Sequence, residues 1–290
     1  MSCSLLFQAG LTQAVIRELE QILIGCGGLV KELIRRSRGA STLKDDNGQR
    51  LSAADELADQ FLREHLLRLV PSSTGYSEEG HEWGPATGSR PRRLRVRWLV
   101  DPVDGTRPAT LGGAFAVCVG AVVLREETPV AAAGWVYCPT LPALYSGWVT
   151  ADGRDSRLDR QPAAAERNLS VKELRNRYVA ASSDWRTDML PGSPMKLTGP
   201  GAAAVHLVQL VHPGSDVAAV ALTRYKPYDA AAALCVAVAG GSEVYSMSPG
   251  PALRTRLDLL SFLAAGAAAP GEYAQPILVC TPEVAGLLAG

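Results

Sequence analysis

The chain has 290 residues, 47% of them hydrophobic, and its 29 acidic residues balance its 29 basic ones. This length allows one large domain or two moderate ones. A formal net charge of zero argues against a nucleic-acid-binding surface or a polybasic membrane-binding surface as the main function. The six cysteines are scattered without a C-x-x-C pair, which is typical of buried thiols rather than of a disulfide or zinc framework. With no signal-peptide pattern and no apolar run of membrane-spanning length, a cytoplasmic location is predicted.

Hydrophobic periodicity predicts two helices followed by a meander of strands. Apolar residues recur at helical spacing over residues 11–37, and a second amphipathic helix is predicted over residues 56–69. A strand is predicted over residues 95–100, and Pro102 is expected to end its pairing because proline has no N–H. Further strands are predicted over residues 112–124, 129–137 and 144–150, with turn signals between them. Residues 154–169 show no clear period and are interpreted as the passage between two halves of the chain.

The second half alternates short strands with helices. Strands are predicted over residues 178–183, 196–199 and 216–222, and a helix is expected to begin near residue 201. An apolar helix is predicted over residues 227–239, ending at Gly240-Gly241. Residues 275–283 read as a last strand and a short helix.

The segment Arg-Trp-Leu-Val-Asp-Pro-Val-Asp-Gly-Thr at residues 97–106 carries the clearest chemical signal. Asp101 and Asp104 leave the end of a buried strand three residues apart, and two such carboxylates repel each other unless a cation or a proton lies between them. Because the candidate ligands are oxygens, a hard divalent cation suits them best. The N–H groups of Gly105 and Thr106, at a possible helix start, could hold a phosphate. The alternative is an ordinary turn with two solvated carboxylates.

Two other segments extend this signal. Residues 75–80 read Gly-Tyr-Ser-Glu-Glu-Gly, residues 228–231 read Tyr-Asp-Ala-Ala, and Ala54-Asp55 leads into the second predicted helix. Together with Asp-Pro-x-Asp-Gly-Thr they are similar, in order and over almost the whole chain, to the motifs of the inositol monophosphatase family. Members of that family are magnesium-dependent, lithium-sensitive phosphomonoesterases.

The resemblance implies a fold and a set of partners. The fold is a layered αβαβα sandwich of mixed α+β and α/β character, with paired helices, an antiparallel sheet, helices, a second and mostly parallel sheet, and helices. Residues 1–155 would form the first half, with the metal motifs, and residues 156–290 the second, with the substrate side. The partners implied are a small phosphorylated metabolite and a second copy in a homodimer, with no nucleic acid and no membrane.

The resemblance also implies a role for each motif residue, with two or three Mg²⁺ ions as cofactor. The first ion would be held by Glu78, Asp101 and the carbonyl of Val103. The second would be held by Asp101, Asp104 and Asp229, and a weaker third by Glu78 with water, with Asp55 as a further candidate. Thr106, polarised through Asp55, would orient the attacking water. The substrate-binding positions implied are Gly105, Thr106, Ser182, Ser183, Gly201 and Ala203.

Some positions depart from the family pattern and keep alternatives open. Leu222 stands where members that use inositol phosphate carry an acid, and Tyr228 replaces a tryptophan. A 3′-phosphoadenosine 5′-phosphate nucleotidase is therefore a second hypothesis. A binding or scaffold protein on the same fold is a third, although a site without a function has no reason to keep mutually repelling acids. The dispersed histidines show no ligand spacing and are interpreted as structural or surface residues: His65, His81, His206 and His212.

Overall fold

The computed structural model describes residues 4–37, 53–88, 93–110, 112–165, 171–174, 177–181, 196–198, 202–247 and 255–289. Within these residues the helices are α1 (Ser4–Gln8), α2 (Gln13–Ser37), α3 (Ala53–Leu69), α4 (Thr106–Thr110), α5 (Val171–Leu174), α6 (Ala203–Gln209), α7 (Pro227–Ala239), α8 (Leu259–Ala268) and α9 (Pro282–Ala289). The strands are β1 (Thr74–Ser77), β2 (Glu82–Trp83), β3 (Leu94–Asp104), β4 (Ala116–Arg125), β5 (Thr128–Cys138), β6 (Ala143–Thr150), β7 (Gly153–Leu158), β8 (Gln161–Pro162), β9 (Tyr178–Ala181), β10 (Lys196–Thr198), β11 (Val217–Leu222), β12 (Glu243–Ser246) and β13 (Ile277–Cys280).

The larger sheet has the strand order β2-β1-β3-β4-β5-β6-β7-β8. Its strands pair antiparallel except for β1 and β3, which run parallel. The smaller sheet has the order β10-β9-β11-β13-β12, with two parallel and two antiparallel pairings. Both antiparallel pairings involve β13, which runs against the other four strands, so the expectation of a mostly parallel second sheet is confirmed.

Buried side chains divide the molecule into five layers. Helices α1, α2 and α3 pack on one face of the larger sheet, and helices α6, α7 and α8 share a core with its other face and with the smaller sheet. Helix α9 packs on the outer face of the smaller sheet. This arrangement confirms the predicted αβαβα sandwich. Among the helices of the described residues, none is both long and apolar enough to cross a membrane.

Three glycines let helix α7 lie directly on the larger sheet. Gly120, Gly134 and Gly147 are cross-strand neighbours on β4, β5 and β6. A Cβ atom on Gly134 would lie 2.0 Å from the carbonyl oxygen of Ala232, and one on Gly147 would lie 2.7 Å from the Cα of Val236. Since no side chain intervenes, the helix backbone is held against the sheet, and the first turn of α7 is placed at the end of β3.

The structure confirms the long first helix, the meander β4–β6, the short strands of the second half and the apolar helix α7. The expectation that Pro102 ends the strand pairing is wrong, because β3 continues to Asp104 with an irregular register between Asp101 and Asp104. A bulge tolerates proline because the ladder hydrogen bonds are interrupted there anyway.

Other differences concern short elements. Helix α3 begins at Ala53, three residues before the predicted start. The strand expected from residue 112 begins at Ala116. Residues 154–169 are not only a passage, since β7 and β8 extend the larger sheet there, and the predicted boundary between residues 155 and 156 falls inside β7. These strands are too short or too polar to show a two-residue period.

Candidate active site

Sheet register places the first two acidic residues side by side. Strands β1 and β3 run parallel, with Ser77 opposite Val100, and the N–H of Glu78 donates to the carbonyl of Val100 over 3.0 Å. Glu78 and Asp101 are therefore the next residues on neighbouring strands, at the carboxyl edge of the sheet. Each leaves the sheet where its strand stops regular pairing, which directs both carboxylates to the same point.

The bulge at the end of β3 shapes the rest of the motif. Asp101 turns back on its own chain, and its Oδ1 accepts the N–H of Val103 over 3.0 Å. Gly105 has a φ of +88°, a left-handed conformation that glycine adopts without strain. A Cβ atom there would lie 2.7 Å from the Cβ of Ala202, so the same glycine also allows the turn to approach the segment before α6.

The third acidic residue comes from the first turn of α7. Asp229 accepts the N–H of Lys226 on Oδ2 over 2.7 Å, which holds the carboxylate at the helix start. Oxygen atoms of Glu78, Asp101 and Asp229 all lie within 4.8 Å of one another. Three converging carboxylates at this spacing suit a hard divalent cation, whose preferred ligands are oxygens. The residues present therefore fit a magnesium centre.

Asp104 faces helix α6 rather than the three grouped acids. Its Oδ1 accepts the N–H of Ala203 over 3.0 Å and its Oδ2 accepts the N–H of Ala204 over 2.7 Å. Asp104 thus satisfies backbone donors at the beginning of α6, which would otherwise lack partners. Each carboxylate oxygen keeps a further lone pair, so this role is compatible with a metal ligand.

Burial and mutual repulsion raise the pKa of these acids. Burial raises the pKa of Glu78 to about 7, although a hydrogen bond to Asp101 opposes the shift. Burial and the charge of Asp229 raise the pKa of Asp104 to about 7 against the effect of its backbone donors. The pKa of Asp101 is raised well above its ordinary value by burial and by the neighbouring charges, Glu78 first among them. Burial raises the pKa of Asp229 to about 6, opposed by Lys226. A cation bound between these acids would offset both the burial and the repulsion that raise their pKa values.

Thr106 links the metal motif to helix α3. Its hydroxyl oxygen lies 3.1 Å from Oδ1 of Asp55 and 3.1 Å from the carbonyl oxygen of Val103. A hydroxyl has one proton to donate, so it donates to one of these oxygens and keeps lone pairs to accept from a third partner. The structure thus joins the two residues whose pairing the family resemblance implied. The carbonyl of Val103 is thus also within hydrogen-bond distance of the Thr106 hydroxyl.

A second acidic group lies one helical turn along α3 from Asp55. Asp59 is fully buried, and its Oδ2 accepts from Nε of Arg63 over 2.8 Å and contacts Nδ1 of His81 over 2.7 Å. Burial and then the charges of neighbouring acids, beginning with Glu78, raise the pKa of Glu79 to about 8. Neither Asp59 nor His81 was predicted as a site residue. The available signal was the four-residue spacing of Asp55 and Asp59, which places both on one helix face.

The substrate side is described only in part. Ser182, Ser183 and Gly201 lie outside the described residues, whereas the backbone N–H of Ala203 binds Asp104. Leu222 is buried in the core shared by the two sheets.

An aromatic and cationic group lies beside Asp229. Tyr228 stacks on Tyr76 with ring centroids 6.0 Å apart, and Nζ of Lys226 lies 5.7 Å from the ring centroids of both Tyr228 and Tyr273. Tyr273 is 56% exposed, and the guanidinium carbon of Arg224 lies 5.0 Å from its ring centroid. We refer to Tyr76, Arg224, Lys226, Tyr228 and Tyr273 as the rim group.

Known proteins resemble this chain in sequence. A fructose-1,6-bisphosphatase/inositol-1-monophosphatase of Aquifex aeolicus is 27% identical over 210 residues, which are 69% of this chain and 73% of that protein. The 3′(2′),5′-bisphosphate nucleotidase CysQ of Salmonella typhimurium is 24% identical over 235 residues, 80% of this chain and 90% of that protein. Inositol monophosphatase 3 of Solanum lycopersicum is 29% identical over 140 residues. This match spans 48% of that protein, about half its length.

Solved structures and a family model agree with these similarities. The extragenic suppressor protein suhB of Bartonella henselae superposes with a TM-score of 0.66 at 18% identity, covering 96% of this chain and 97% of that one. An inositol monophosphatase from Anabaena superposes with a TM-score of 0.62, also at 18% identity, covering 94% of each chain. At such low sequence identity, these superpositions establish the fold alone. Residues 12–280 match the model of the inositol monophosphatase family, and the chain belongs to that family.

Proposed function

We propose that this protein is a Mg²⁺-dependent phosphomonoesterase that hydrolyses a small phosphorylated metabolite, such as an inositol monophosphate or a sugar phosphate. The observation that carries the proposal is the convergence of Glu78, Asp101 and Asp229, whose oxygen atoms lie within 4.8 Å of one another. Phosphate esters are anionic, and their hydrolysis leaves an alkoxide that needs stabilisation. A cluster of acids that attracts divalent cations meets both needs.

Two or three Mg²⁺ ions would be held at this site. Glu78, Asp101 and the carbonyl of Val103 would hold the first ion, and Asp101, Asp104 and Asp229 the second. Glu78 with water, and Asp55 as a further candidate, would hold a weaker third. Bound Mg²⁺ lowers the pKa of water and stabilises charge on the leaving oxygen.

The chain itself would hold the attacking water and the phosphate. The Thr106 hydroxyl, which donates to Asp55, would accept a hydrogen bond from that water on its free lone pairs and so fix the direction of attack. The N–H groups of Gly105 and Thr106 donate to the phosphate oxygens. Ser182, Ser183, Gly201 and Ala203 would contact the alcohol part of the substrate. No side chain of the chain has to form a covalent intermediate.

Phosphate release tests the proposal. The purified chain is incubated with Mg²⁺, with and without lithium, on inositol 1-phosphate, fructose 1,6-bisphosphate, adenosine 3′,5′-bisphosphate and several sugar phosphates. We expect magnesium-dependent, lithium-sensitive release from at least one of them. A protein that binds Mg²⁺ yet releases phosphate from none would favour the scaffold hypothesis instead.

The rim group favours a second candidate, a nucleotidase that removes the 3′-phosphate of 3′-phosphoadenosine 5′-phosphate. Leu222 offers no partner for polyol hydroxyls, whereas Arg224 and Lys226 place two cations around the exposed ring of Tyr273. Cations suit a second phosphate on the substrate. Comparing adenosine 3′-phosphate with adenosine 3′,5′-bisphosphate tests this candidate, because the two differ only in that second phosphate. A KM at least about tenfold lower for the bisphosphate, a gain of about 1.4 kcal/mol, would support it.

Two broader predictions accompany the proposal. A homodimer is proposed from the family resemblance, and sedimentation of the purified chain tests it. The division into halves at residues 1–155 and 156–290 stays a prediction, and separate expression of each half tests it.

A further inference from the structure

We propose that Asp59 and His81 act as positioning residues that hold the metal ligand Glu78 in place. This inference rests on the proposed function, since it takes Glu78 as a ligand of Mg²⁺. It concerns how the turn that carries this ligand is held against helix α3.

Glu78 lies on a short turn at one edge of the larger sheet. The turn joins β1 to β2, a strand of two residues, and it is closed by hydrogen bonds from Ser77 to His81 and from Gly80 to Ser77. Beyond the hydrogen bond to Val100, Glu78 leaves the sheet. The backbone therefore ties the two ends of the turn to each other, and a side-chain contact joins the turn to helix α3.

The far end is held by His81. Its Nδ1 lies 2.7 Å from Oδ2 of Asp59, on the helix that packs under the turn. The same oxygen accepts from Nε of Arg63 over 2.8 Å. A fully buried carboxylate is costly unless it is paired, and Oδ2 of Asp59 has both of these partners. His81 is thereby tied to a rigid element instead of moving with a surface loop.

Helix α3 holds both loops of the metal site from one face. Asp55 contacts Thr106, which follows the bulge of β3, and Asp59, four residues later, contacts His81, which follows Glu78. Residues four apart lie on the same side of a helix. The helix thus sets the distance between the loop of Asp101 and Asp104 and the turn of Glu78.

Loss of the contact between His81 and Asp59 would release the turn from helix α3. Glu78 would then have to be ordered again each time a cation binds, and the affinity for Mg²⁺ would fall.

The test measures Mg²⁺ binding to the metal-free full chain by calorimetry. His81→Ala removes the contact, and His81→Asn keeps an N–H donor near the position of Nδ1. His65→Ala is the control, since His65 lies on α3 itself and its Nδ1 contacts the carbonyl of Phe61 in the same helix, so it holds no turn of the site. We expect His81→Ala to weaken Mg²⁺ binding by about tenfold or more. His81→Asn should keep most of the affinity and His65→Ala all of it.

Kinetics separate positioning from chemistry. At saturating Mg²⁺ the kcat of His81→Ala should return close to that of the wild type, because the turn is then held by the metal. Unchanged Mg²⁺ affinity in His81→Ala, or a kcat that stays low at saturation, would overturn the inference. A wild-type chain that neither binds Mg²⁺ nor releases phosphate would refute the proposed function instead, so the two failures are distinct.

Discussion

Replacing Gly134 by alanine tests whether helix α7 rests directly on the larger sheet. The added Cβ would lie 2.0 Å from the carbonyl oxygen and 2.7 Å from the Cα of Ala232. Both atoms belong to the helix backbone, so no side-chain rotation relieves the overlap, and α7 or β5 must shift by about 1 Å to restore ordinary contact. Gly134 does not have a positive φ, so the effect comes from this overlap and not from backbone strain.

The expected loss of stability follows from this geometry. Overpacking a core usually costs about 1 to 3 kcal/mol, and an overlap with backbone belongs at the upper end. Gly120→Ala is the matched control, because its Cβ would lie 3.1 Å from the Cβ of Ala231 and needs only a small adjustment. We therefore expect Gly134→Ala to lower the free energy of unfolding by about 3 kcal/mol and Gly120→Ala by about 1 kcal/mol or less.

The helix shift should also reach the metal site. Asp229 lies three residues before Ala232, so moving α7 moves this ligand away from Glu78 and Asp101. Urea unfolding with and without Mg²⁺ measures both effects, since a bound ligand stabilises the folded state in proportion to its affinity. The gain in stability from Mg²⁺ should be smaller in Gly134→Ala than in Gly120→Ala. Equal stabilities and equal responses to Mg²⁺ would refute the reasoning.

Three further predictions concern the site. Asp104→Asn should lower kcat/KM by at least about 100-fold while circular dichroism shows a folded chain, because the amide can still accept one backbone N–H at the start of α6; wild-type activity in this variant would exclude Asp104 as a ligand. Thr106→Val should lower kcat more than it raises KM for Mg²⁺, because the hydroxyl that faces Asp55 is lost, and a change confined to KM would contradict its role toward water. The raised pKa values of Glu78, Asp104 and Asp229 predict the direction in which the stability of the metal-free chain changes with pH. Their contribution to stability is present below the ordinary carboxyl pKa of about 4 and is lost as pH rises through the folded values, so the metal-free chain should become less stable as pH rises toward about 8, and Mg²⁺ should abolish the loss in urea unfolding.

Much of the fold was predictable because its signals are local. The apolar period of α2 and of α7, and the paired strands β4–β6, are properties of short windows. The short strands β1, β2, β7, β8 and β12 were missed or misread because two to six residues carry too few positions to show a period. The prediction that Pro102 ends the strand was wrong for a different reason. The effect of this proline on β3 depends on a bulge, and the bulge is visible only from the pairing with β4.

The candidate metal-binding acids were also within reach of the sequence. Asp101 and Asp104 follow a buried strand, and Glu78 and Asp229 stand in segments similar to family motifs. The amino-acid types alone select a hard cation, because carboxylate oxygens are what the motifs offer. No short stretch of sequence could show which of these acids lie together in the fold. Glu78, Asp101 and Asp229 converge, whereas the two oxygens of Asp104 accept backbone N–H groups 99 and 100 residues further along the chain.

The sequence by itself predicted the main helices and strands from local pattern, and the resemblance of its motifs to the family implied the layered architecture and the candidate acids of the site. Only the tertiary structure decided how the site is held. The contact of Asp59 with His81 spans 22 residues, and the register of Gly120, Gly134 and Gly147 depends on three strands pairing correctly. The physical reason is that a contact between distant segments is set by packing of the whole core, which no single segment encodes.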